Sequence, residues 1–371
     1  MTNTVKDIVA IVEQHYPPYL SASWDNCGLQ VGSYHAAVTK IGVTLELEPE
    51  VIKQALNADL DLIITHHPLF FNGIKGINAD TAWGQMIYQL ISQNIAVYSA
   101  HTTLDAAPRG LNQHLAEMLG LQHIEPLFAD LEEQLYKIVV YVPASHVKEV
   151  QQAMAAAGAG HIGNYSACTF RTPGIGTFRP EAGSQPYIGS AGVMQEVAEY
   201  RLETVVEKHG LTSVIVAMQT AHPYEEVAYD VFPLINRGRT YSMGRKGCLP
   251  QICTLDDLSG RVKQILACQR LKVVGNSQRQ VERVALISGS GGSMLSRISP
   301  QLADVVITGD VKYHEAQEAR LRGISIIDAG HQELEKHMIP LLAGLLKREC
   351  ENRQLAIEVL ELGSTPIFRN Y

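Results

Sequence analysis

Two adjacent histidines, His66 and His67, are the residues of this chain best placed for metal chemistry. They follow the apolar run 60–65 and precede Pro68. A short apolar run bounded by a breaker predicts a buried strand. Open α/β sheets bind ligands at the C-terminal ends of such strands. Two imidazoles at that position therefore predict a metal site whose other ligands come from elsewhere in the chain.

An internal repeat between the two ends of the chain supplies those other ligands. Two pairs of segments match: 61–65 (DLIIT) with 304–308 (DVVIT), and 95–101 (IAVYSAH) with 324–331 (ISIIDAGH). In the second pair a carboxylate follows each histidine by four residues, Asp105 after His101 and Glu335 after His331. That spacing at the start of a helix places both side chains on one face, one turn apart. We predict that two related α/β units face each other and bring these side chains together.

The combined set is suited to transition metals. Imidazole and carboxylate ligands suit zinc first, with iron, manganese, cobalt and nickel as alternatives. The candidates are His66, His67, His101, Asp105, His331 and Glu335. They exceed the three protein ligands usual for one catalytic zinc. With Glu335 or Asp105 bridging, they would serve two divalent ions roughly 3.5–4 Å apart. His101 is either a ligand or a group that faces the substrate.

The order of predicted elements indicates an α/β protein with an insertion. Strands and helices alternate through residues 1–127 and 237–371, which favours largely parallel sheets covered by helices. Residues 128–236 give the order β-α-β-β-α-β, which is the ferredoxin-like pattern, with a Gly/Pro-rich loop over 172–192. We predict two related α/β lobes that form a discontinuous core, and a ferredoxin-like domain inserted between them.

Composition limits the kinds of binding partner and the cellular compartment that we expect for this protein. The 371 residues carry a formal net charge of −8, which provides no general attraction for nucleic acid or an anionic membrane. The six cysteines are scattered without a Cys-x-x-Cys pair, which is typical of reduced thiols in a cytoplasmic protein. The first residues are too mixed for a signal peptide, and no long apolar run suggests a membrane span.

Three weaker motifs each have two interpretations. The segment 289–293 (GSGGS) is either a phosphate cradle or a tight turn. The segment 222–226 (HPYEE) is either a third metal site or the end of a helix that contacts a neighbouring module. A small basic cluster, predicted as a solvated linker or a contact for triphosphate, contains Arg237, Arg239, Arg245 and Lys246.

Taken together, the motifs resemble the NIF-three-like dinuclear metal proteins, known as GTP cyclohydrolase 1 type 2 homologues. The matching segments are 66–68 (HHP), His101-x-x-x-Asp105, 330–335 (GHQELE), 24–32 (WDNCGLQVG), 289–291 (GSG) and 308–310 (TGD). The resemblance implies that His67 and Asp105 hold one metal, that His66 and His331 hold the other, and that Glu335 is shared. It also implies a toroidal homohexamer. Glu46 departs from the family, where many members carry Asp.

The same resemblance implies a function for each part of the chain. The insert is similar to the PII/CutA-like domain of the longer members, in 163–165 (GNY), 174–180 (GIGTFRP) and 222–226. The core is implied to open the guanine ring of GTP through a metal-activated hydroxide. His101 is our candidate for proton transfer, because an unperturbed imidazole titrates near neutrality. The alternative is a regulatory or metal-handling protein whose insert senses a ligand and whose core metals are structural.

Overall fold

The structure, a computed structural model, describes residues 3–363 and 367. The strands are β1 (Gly28–Val31), β2 (Lys40–Thr44), β3 (Leu62–Thr65), β4 (Ala96–Ser99), β5 (Gln122–Pro126), β6 (Leu131–Pro143), β7 (Thr169–Phe178), β8 (Gln195–Glu207), β9 (Tyr229–Tyr241), β10 (Arg245–Thr254), β11 (Lys272–Val274), β12 (Gln280–Ser290), β13 (Val305–Gly309), β14 (Ser325–Asp328) and β15 (Glu358–Glu361).

The helices alternate with these strands. They are α1 (Val5–His15), α2 (Pro49–Asn57), α3 (Ala82–Ser92), α4 (Thr102–Ala106), α5 (Leu111–Met118), α6 (Val147–Ala156), α7 (Leu211–Ala221), α8 (Leu255–Ile265), α9 (Tyr313–Leu321), α10 (His331–Glu335) and α11 (Met338–Asn352). Short 3-10 turns lie at Pro18–Leu20, Lys208–Gly210 and Gly292–Arg297. The chain divides into two compact units, which are Met1–Leu131 with Tyr241–Tyr371, and Glu132–Thr240.

The first unit contains two mixed sheets built around parallel strands. The five-stranded sheet has the order β1-β4-β3-β2-β15, with β1 antiparallel to its neighbour and the other pairs parallel. The six-stranded sheet has the order β11-β14-β13-β12-β10-β5, in which β12, β13 and β14 are parallel. In each sheet the parallel strands end at one edge, where the residues that follow them lie close together.

Buried strands of this kind place alternate residues in two different cores. On β3, Leu62 and Ile64 belong to the core that the two sheets share, whereas Ile63 packs against α2 and α3. On β13, Ile307 belongs to the shared core and Val306 packs on the opposite face. Because both faces are covered, the strands are apolar at almost every position, as parallel strands usually are.

The second unit is one four-stranded sheet covered by two helices, and β8 is antiparallel to both of its neighbours. Its strand order is β7-β8-β6-β9, and α6 and α7 pack against the buried residues of β6 and β8. The predicted loop over 172–192 is wrong in its first part, because β7 continues through Pro173 to Phe178 and pairs with β8 throughout. Proline lacks the N–H that a central strand needs, but β7 is an edge strand and tolerates it.

Among the described residues, no helix combines the length and the apolar character that crossing a bilayer requires.

Candidate metal centre

His66 and His67 leave the end of β3 in a turn that several hydrogen bonds fix. The N–H groups of His66 and His67 donate to Leu45 O at 3.1 and 2.9 Å. Ser99 Oγ donates to His66 O at 2.8 Å, and Thr65 Oγ1 donates to His67 O at 2.8 Å. His66 is fully buried, and both rings are therefore held at the edge of the sheet.

Two one-turn helices supply the other candidate residues. His101 precedes α4, which carries Asp105, while His331 and Glu335 are the first and last residues of α10. Leu104 and Leu334 are buried in the shared core. Those leucines fix the rotation of each helix, so that the flanking polar side chains face the strand ends. The spacing of four residues thus produces the shared face that the sequence predicts.

One group of atoms converges tightly around Glu335. Its Oε2 atom lies 3.0 Å from His67 Nε2 and 2.9 Å from His331 Nε2. The two imidazole Nε2 atoms are themselves 3.4 Å apart. Ligand atoms around a tetrahedral zinc at 2.0–2.1 Å are separated by about 3.3 Å, so the three atoms are spaced as metal ligands are.

The other carboxylate oxygen of Glu335 faces a second group. His66 Nε2 lies 3.6 Å from Glu335 Oε1 and 3.7 Å from Asp105 Oδ2. Nitrogen atoms of His66, His67 and His101 also lie within 4.8 Å of one another. All six side chains singled out by the sequence therefore meet at one place. The distances favour a different division from the one that the resemblance implies, because His67 faces His331 and His66 faces Asp105.

Each of the four histidines presents the same nitrogen to the centre. Their Nδ1 atoms face acceptors outside it: Ala100 O at 3.3 Å for His66, Glu46 Oε2 at 3.8 Å for His67, Asp25 Oδ1 at 2.9 Å for His101, and Asp310 Oδ2 at 2.8 Å for His331. A carbonyl or carboxylate oxygen only accepts, so the close Nδ1 atoms donate and leave Nε2 free to bind a cation. Metal-binding histidines are held in this way.

Buried atoms without partners support the same conclusion. Among the described residues, His66 Nε2 and Glu335 Oε2 are buried and have no hydrogen-bond partner of acceptable geometry. The imidazoles near Glu335 Oε2 are within range, but their geometry is not that of a hydrogen bond. Unpaired buried polar atoms are rare because they cost free energy. A metal ion would satisfy both atoms, so the residues fit such a group.

The electrostatics of the metal-free centre concentrate negative charge on Glu335. Burial opposes its ionisation, but His66, His331 and His67 lower the pKa of Glu335 well below its usual value. Burial also opposes charge on His67, yet Glu335 and Glu46 raise the pKa of His67 to about 10. Contact with Glu335 raises the pKa of His331 to about 9. Protons therefore compete with a metal ion for the imidazoles of His67 and His331.

Asp105 is held by residues from the other end of the chain. Ser288 Oγ, near the end of β12, donates to Asp105 Oδ1 at 3.0 Å, and Asn112 Nδ2 donates to Ser288 Oγ at 2.9 Å. Burial raises the pKa of Asp105, which makes its carboxyl group retain a proton more readily. Ser288 and Asn112 were not predicted as site residues, since neither belongs to a recognisable motif. Asp25 and Asp310 were not predicted either, although both lie within the motifs 24–32 and 308–310.

Arg245 corrects the prediction of a solvated basic cluster. It is only 3% exposed, and its guanidinium donates to Ala107 O at 2.6 Å, Ser242 O at 2.8 Å and Ala106 O at 3.2 Å. Burial lowers the pKa of Arg245 to about 10. It is therefore a structural residue that holds the chain just after Asp105, and no triphosphate contact is expected from it.

The glycine-rich segment 289–293 packs against carboxylates. Gly289 has φ of 61°, and a Cβ there would lie 2.1 Å from Glu335 Oε1. A Cβ at Gly292 would lie 2.2 Å from Glu315 Oε2, and Gly291 N donates to Thr308 Oγ1 at 3.0 Å. These contacts support the tight turn and argue against a phosphate cradle, because adjacent carboxylates repel phosphate.

His222 uses both ring nitrogens within its own unit. Its Nε2 donates to Tyr141 O at 2.9 Å, and its Nδ1 accepts from Tyr224 N at 3.1 Å. Neither nitrogen is available for a third metal, so the helix-end interpretation of the segment 222–226 is the better one.

Comparison with known proteins identifies relatives of the whole chain. The family model Duf34/NIF3 (NGG1p interacting factor 3) matches residues 3–366. A protein of Halalkalibacterium halodurans named GTP cyclohydrolase 1 type 2 homolog is 37% identical over 353 residues, 95% of each chain. A Bacillus subtilis protein of the same name is 37% identical over 354 residues, also 95% of each chain.

Solved structures agree with this relationship. The crystal structure of a Bacillus cereus protein related to NIF3 superposes with a TM-score of 0.93 at 39% identity, covering 100% of both chains. The Staphylococcus aureus protein SA1388 superposes with a TM-score of 0.80 at 27% identity, covering 100% of this chain and 99% of the other. With its strand-end histidines and its whole-length match, the chain belongs to the Duf34/NIF3 family.

Proposed function

We propose that this protein is a metal-dependent hydrolase with two divalent ions per chain, zinc first among the candidates. The observation that carries the proposal is the convergence of imidazole and carboxylate atoms on both oxygens of Glu335. His67, His331 and Glu335 Oε2 would hold one ion, and His66, Asp105 and Glu335 Oε1 would hold the other. Bound ions of this kind lower the pKa of a water molecule toward neutrality and polarise an electrophile.

His101 is proposed to move a proton at its Nε2 atom. Its Nδ1 donates to Asp25 Oδ1 at 2.9 Å, which fixes the ring. Burial alone would raise the pKa of Asp25, but hydrogen bonds from His101, Thr102 and Cys27 lower it, so Asp25 stays ionised. An ionised carboxylate behind an imidazole stabilises the imidazolium that forms when Nε2 accepts a proton. His101 would then return that proton to the leaving nitrogen.

Two exposed aromatic side chains beside His101 favour a planar substrate. Trp24 and Phe71 are 60% and 51% exposed, and their rings meet the His101 ring edge-on at 5.9 and 5.6 Å between centroids. Exposed aromatic side chains can stack on any nucleobase, because every base has a π-face. Together with the name that the relatives carry, this supports a purine nucleotide as substrate, and ring-opening of GTP as the reaction.

The test is metal analysis combined with turnover of GTP. The wild-type protein is expected to carry about two transition-metal ions per chain and to open the guanine ring of GTP by hydrolysis. The double variant His67→Ala/Glu335→Ala is expected to lose both ions and the activity. Glu333→Gln is the matched control, because Glu333 lies on the same helix but pairs with Lys336. Undiminished turnover in the metal-free double variant would contradict the proposal.

We further propose an assignment for the second unit. The order β6-α6-β7-β8-α7-β9 in one sheet supports a ferredoxin-like domain of the PII/CutA-like type in the unit Glu132–Thr240, which the sequence predicts over 128–236. The alternative function is that this domain senses a ligand and that the metals are structural. A cavity of about 630 Å³ in the domain favours this alternative.

A toroidal homohexamer in the cytoplasm is proposed from the family, and light scattering of the purified protein tests the assembly.

A further inference from the structure

The cavity of about 630 Å³ lies on one face of the sheet in Glu132–Thr240. Leu202 and Val206 of β8 pack with α6 and α7, whereas Glu199 and Arg201 alternate with them and face the cavity on the other side. Segments from β6, β7 and the chain near Tyr187 complete its wall. Its volume is in the range of sites that bind small molecules. It shares no residue with the metal centre.

Glu199 is a buried carboxylate at the wall of this cavity. It is 8% exposed, and its Oε1 accepts a hydrogen bond from the Tyr224 hydroxyl at 2.8 Å. A Cβ at Gly176 would lie 2.1 Å from Glu199 Oε2, so the glycine leaves the space that the carboxylate occupies. No ion pair of the described residues includes Glu199. A buried carboxylate without a cation is costly, and a positively charged ligand would remove that cost.

The other walls of the cavity are aromatic. The rings of Phe178 and Tyr187 lie 5.7 and 6.2 Å from the ring of Tyr224, measured between centroids. Tyr224 therefore joins the carboxylate to an aromatic cluster. Aromatic faces carry negative charge and attract cations, and they also pack against flat apolar groups. A ligand that combines a flat apolar body with a cationic nitrogen satisfies both parts of the wall.

The charged residues that line the cavity are three glutamates and one arginine, so carboxylates outnumber cations. Arg201 pairs with Glu203 at 2.8 Å and lies over the Tyr141 ring, and Glu203 also pairs with Lys137. Glu225 and Glu226 also line the cavity, and Glu225 Oε2 accepts from Gln185 N at 2.8 Å, which ties the chain near Tyr187 to the wall. The site is therefore negative, and phosphates or carboxylic acids are unsuitable ligands.

We propose that this cavity binds a small aromatic cation, such as an amine or amidine, whose nitrogen contacts Glu199 and whose ring packs against the aromatic cluster of Phe178, Tyr187 and Tyr224. An amidinium group fits because it can donate two N–H groups to a carboxylate, as arginine does. The inference is independent of the hydrolase function, since it concerns other residues of the chain.

The test is calorimetric titration of the full-length protein with benzamidine. Benzamide, which has nearly the same shape but no charge, is the matched ligand. Saturable binding of benzamidine with a stoichiometry of one per chain, and no binding of benzamide, is the expected result. Absence of saturable benzamidine binding, or equal binding of the two compounds, would overturn the proposal without any variant.

Variants then locate the bound nitrogen. Glu199→Gln is expected to weaken benzamidine binding by about tenfold or more, since a charge-assisted hydrogen bond is lost. Gly176→Ala is expected to weaken it as well, because the added methyl displaces the carboxylate. Glu196→Gln is the control, since Glu196 lies on the same strand, is exposed and does not line the cavity. Thermal unfolding establishes that each variant is folded. Unchanged affinity for benzamidine in folded Glu199→Gln would contradict the proposed contact between the ligand nitrogen and Glu199.

Discussion

Replacing Gly289 by alanine is expected to damage the metal centre without removing any proposed ligand. Gly289 has φ of 61°, and a Cβ at this position would lie 2.1 Å from Glu335 Oε1. Two separate costs follow. The left-handed backbone conformation costs a residue with a Cβ about 1–2 kcal/mol. In addition, the Glu335 carboxylate must move by about 1 Å or more to reach an ordinary contact distance.

The displacement of Glu335 is the cost that matters for metal binding. Its two oxygens face both groups of histidines, so one movement disturbs both proposed ions. Loss of a group that merely orients a ligand lowers metal affinity by about 10–100-fold. Because Gly289→Ala moves a proposed ligand itself, we expect its effect to reach at least the lower end of that range.

Gly120→Ala is the matched control for the backbone cost. Gly120 has φ of 70°, but a Cβ there would have no atom within 4 Å. The backbone cost should lower the free energy of unfolding of the metal-free protein by about 1–2 kcal/mol in both variants, and the displacement of Glu335 should add to it in Gly289→Ala. Only Gly289→Ala should lose metal affinity, measured by competition with a chromogenic chelator. Equal metal affinity in the two variants would refute our placement of Glu335 at the centre.

Three further predictions concern pH, packing and proton transfer. Because the pKa of His67 is raised to about 10 and that of His331 to about 9, protons compete with metal below those values. Metal affinity should rise with pH by up to about tenfold per unit for each proton displaced, then level off, and a flat profile in chelator competition would contradict this. Arg245→Met should lower the free energy of unfolding by about 2–4 kcal/mol in denaturant titrations, because several buried carbonyls lose their donor. The exposed Arg237→Met should change it little. Asp25→Asn should lower kcat for GTP about 10–100-fold with metal content unchanged, and an equal loss of metal would show that Asp25 acts on the ions instead.

The sequence alone was sufficient to locate the parts of the centre that depend on local structure. The apolar run before His66 forms β3, and the spacing of four residues in His331 to Glu335 forms one turn of α10. Both elements depend on interactions between residues that are close in the sequence, and hydrophobic periodicity predicts such elements. The repeat between the two ends of the chain then indicated which strand ends should meet. The division of ligands that we propose between two ions was not accessible in this way, because it depends on distances of a few tenths of an ångström.

Other features depend on contacts that no local pattern records. Arg245 and Arg237 lie in the same basic stretch, yet one is buried and the other exposed. The difference arises because Arg245 is on β10, where carbonyls after Asp105 are within reach. Pro173 and Gly174 suggested a loop, whereas the edge position of β7 permits a strand. In each case tertiary context determined the outcome.

The contacts at the centre would make the proposed metal binding depend on the packing of the two sheets against each other. Asp105 comes from the first part of the chain, yet Ser288 of β12 donates to it, and His67 faces His331 across the shared core. Neither sheet alone supplies both carboxylates. A cation that binds only the packed arrangement stabilises it in proportion to RT ln(1 + [L]/Kd). The same linkage requires that any change which loosens the packing of Leu104 or Leu334 in the shared core also weakens metal binding, even though neither leucine is a ligand.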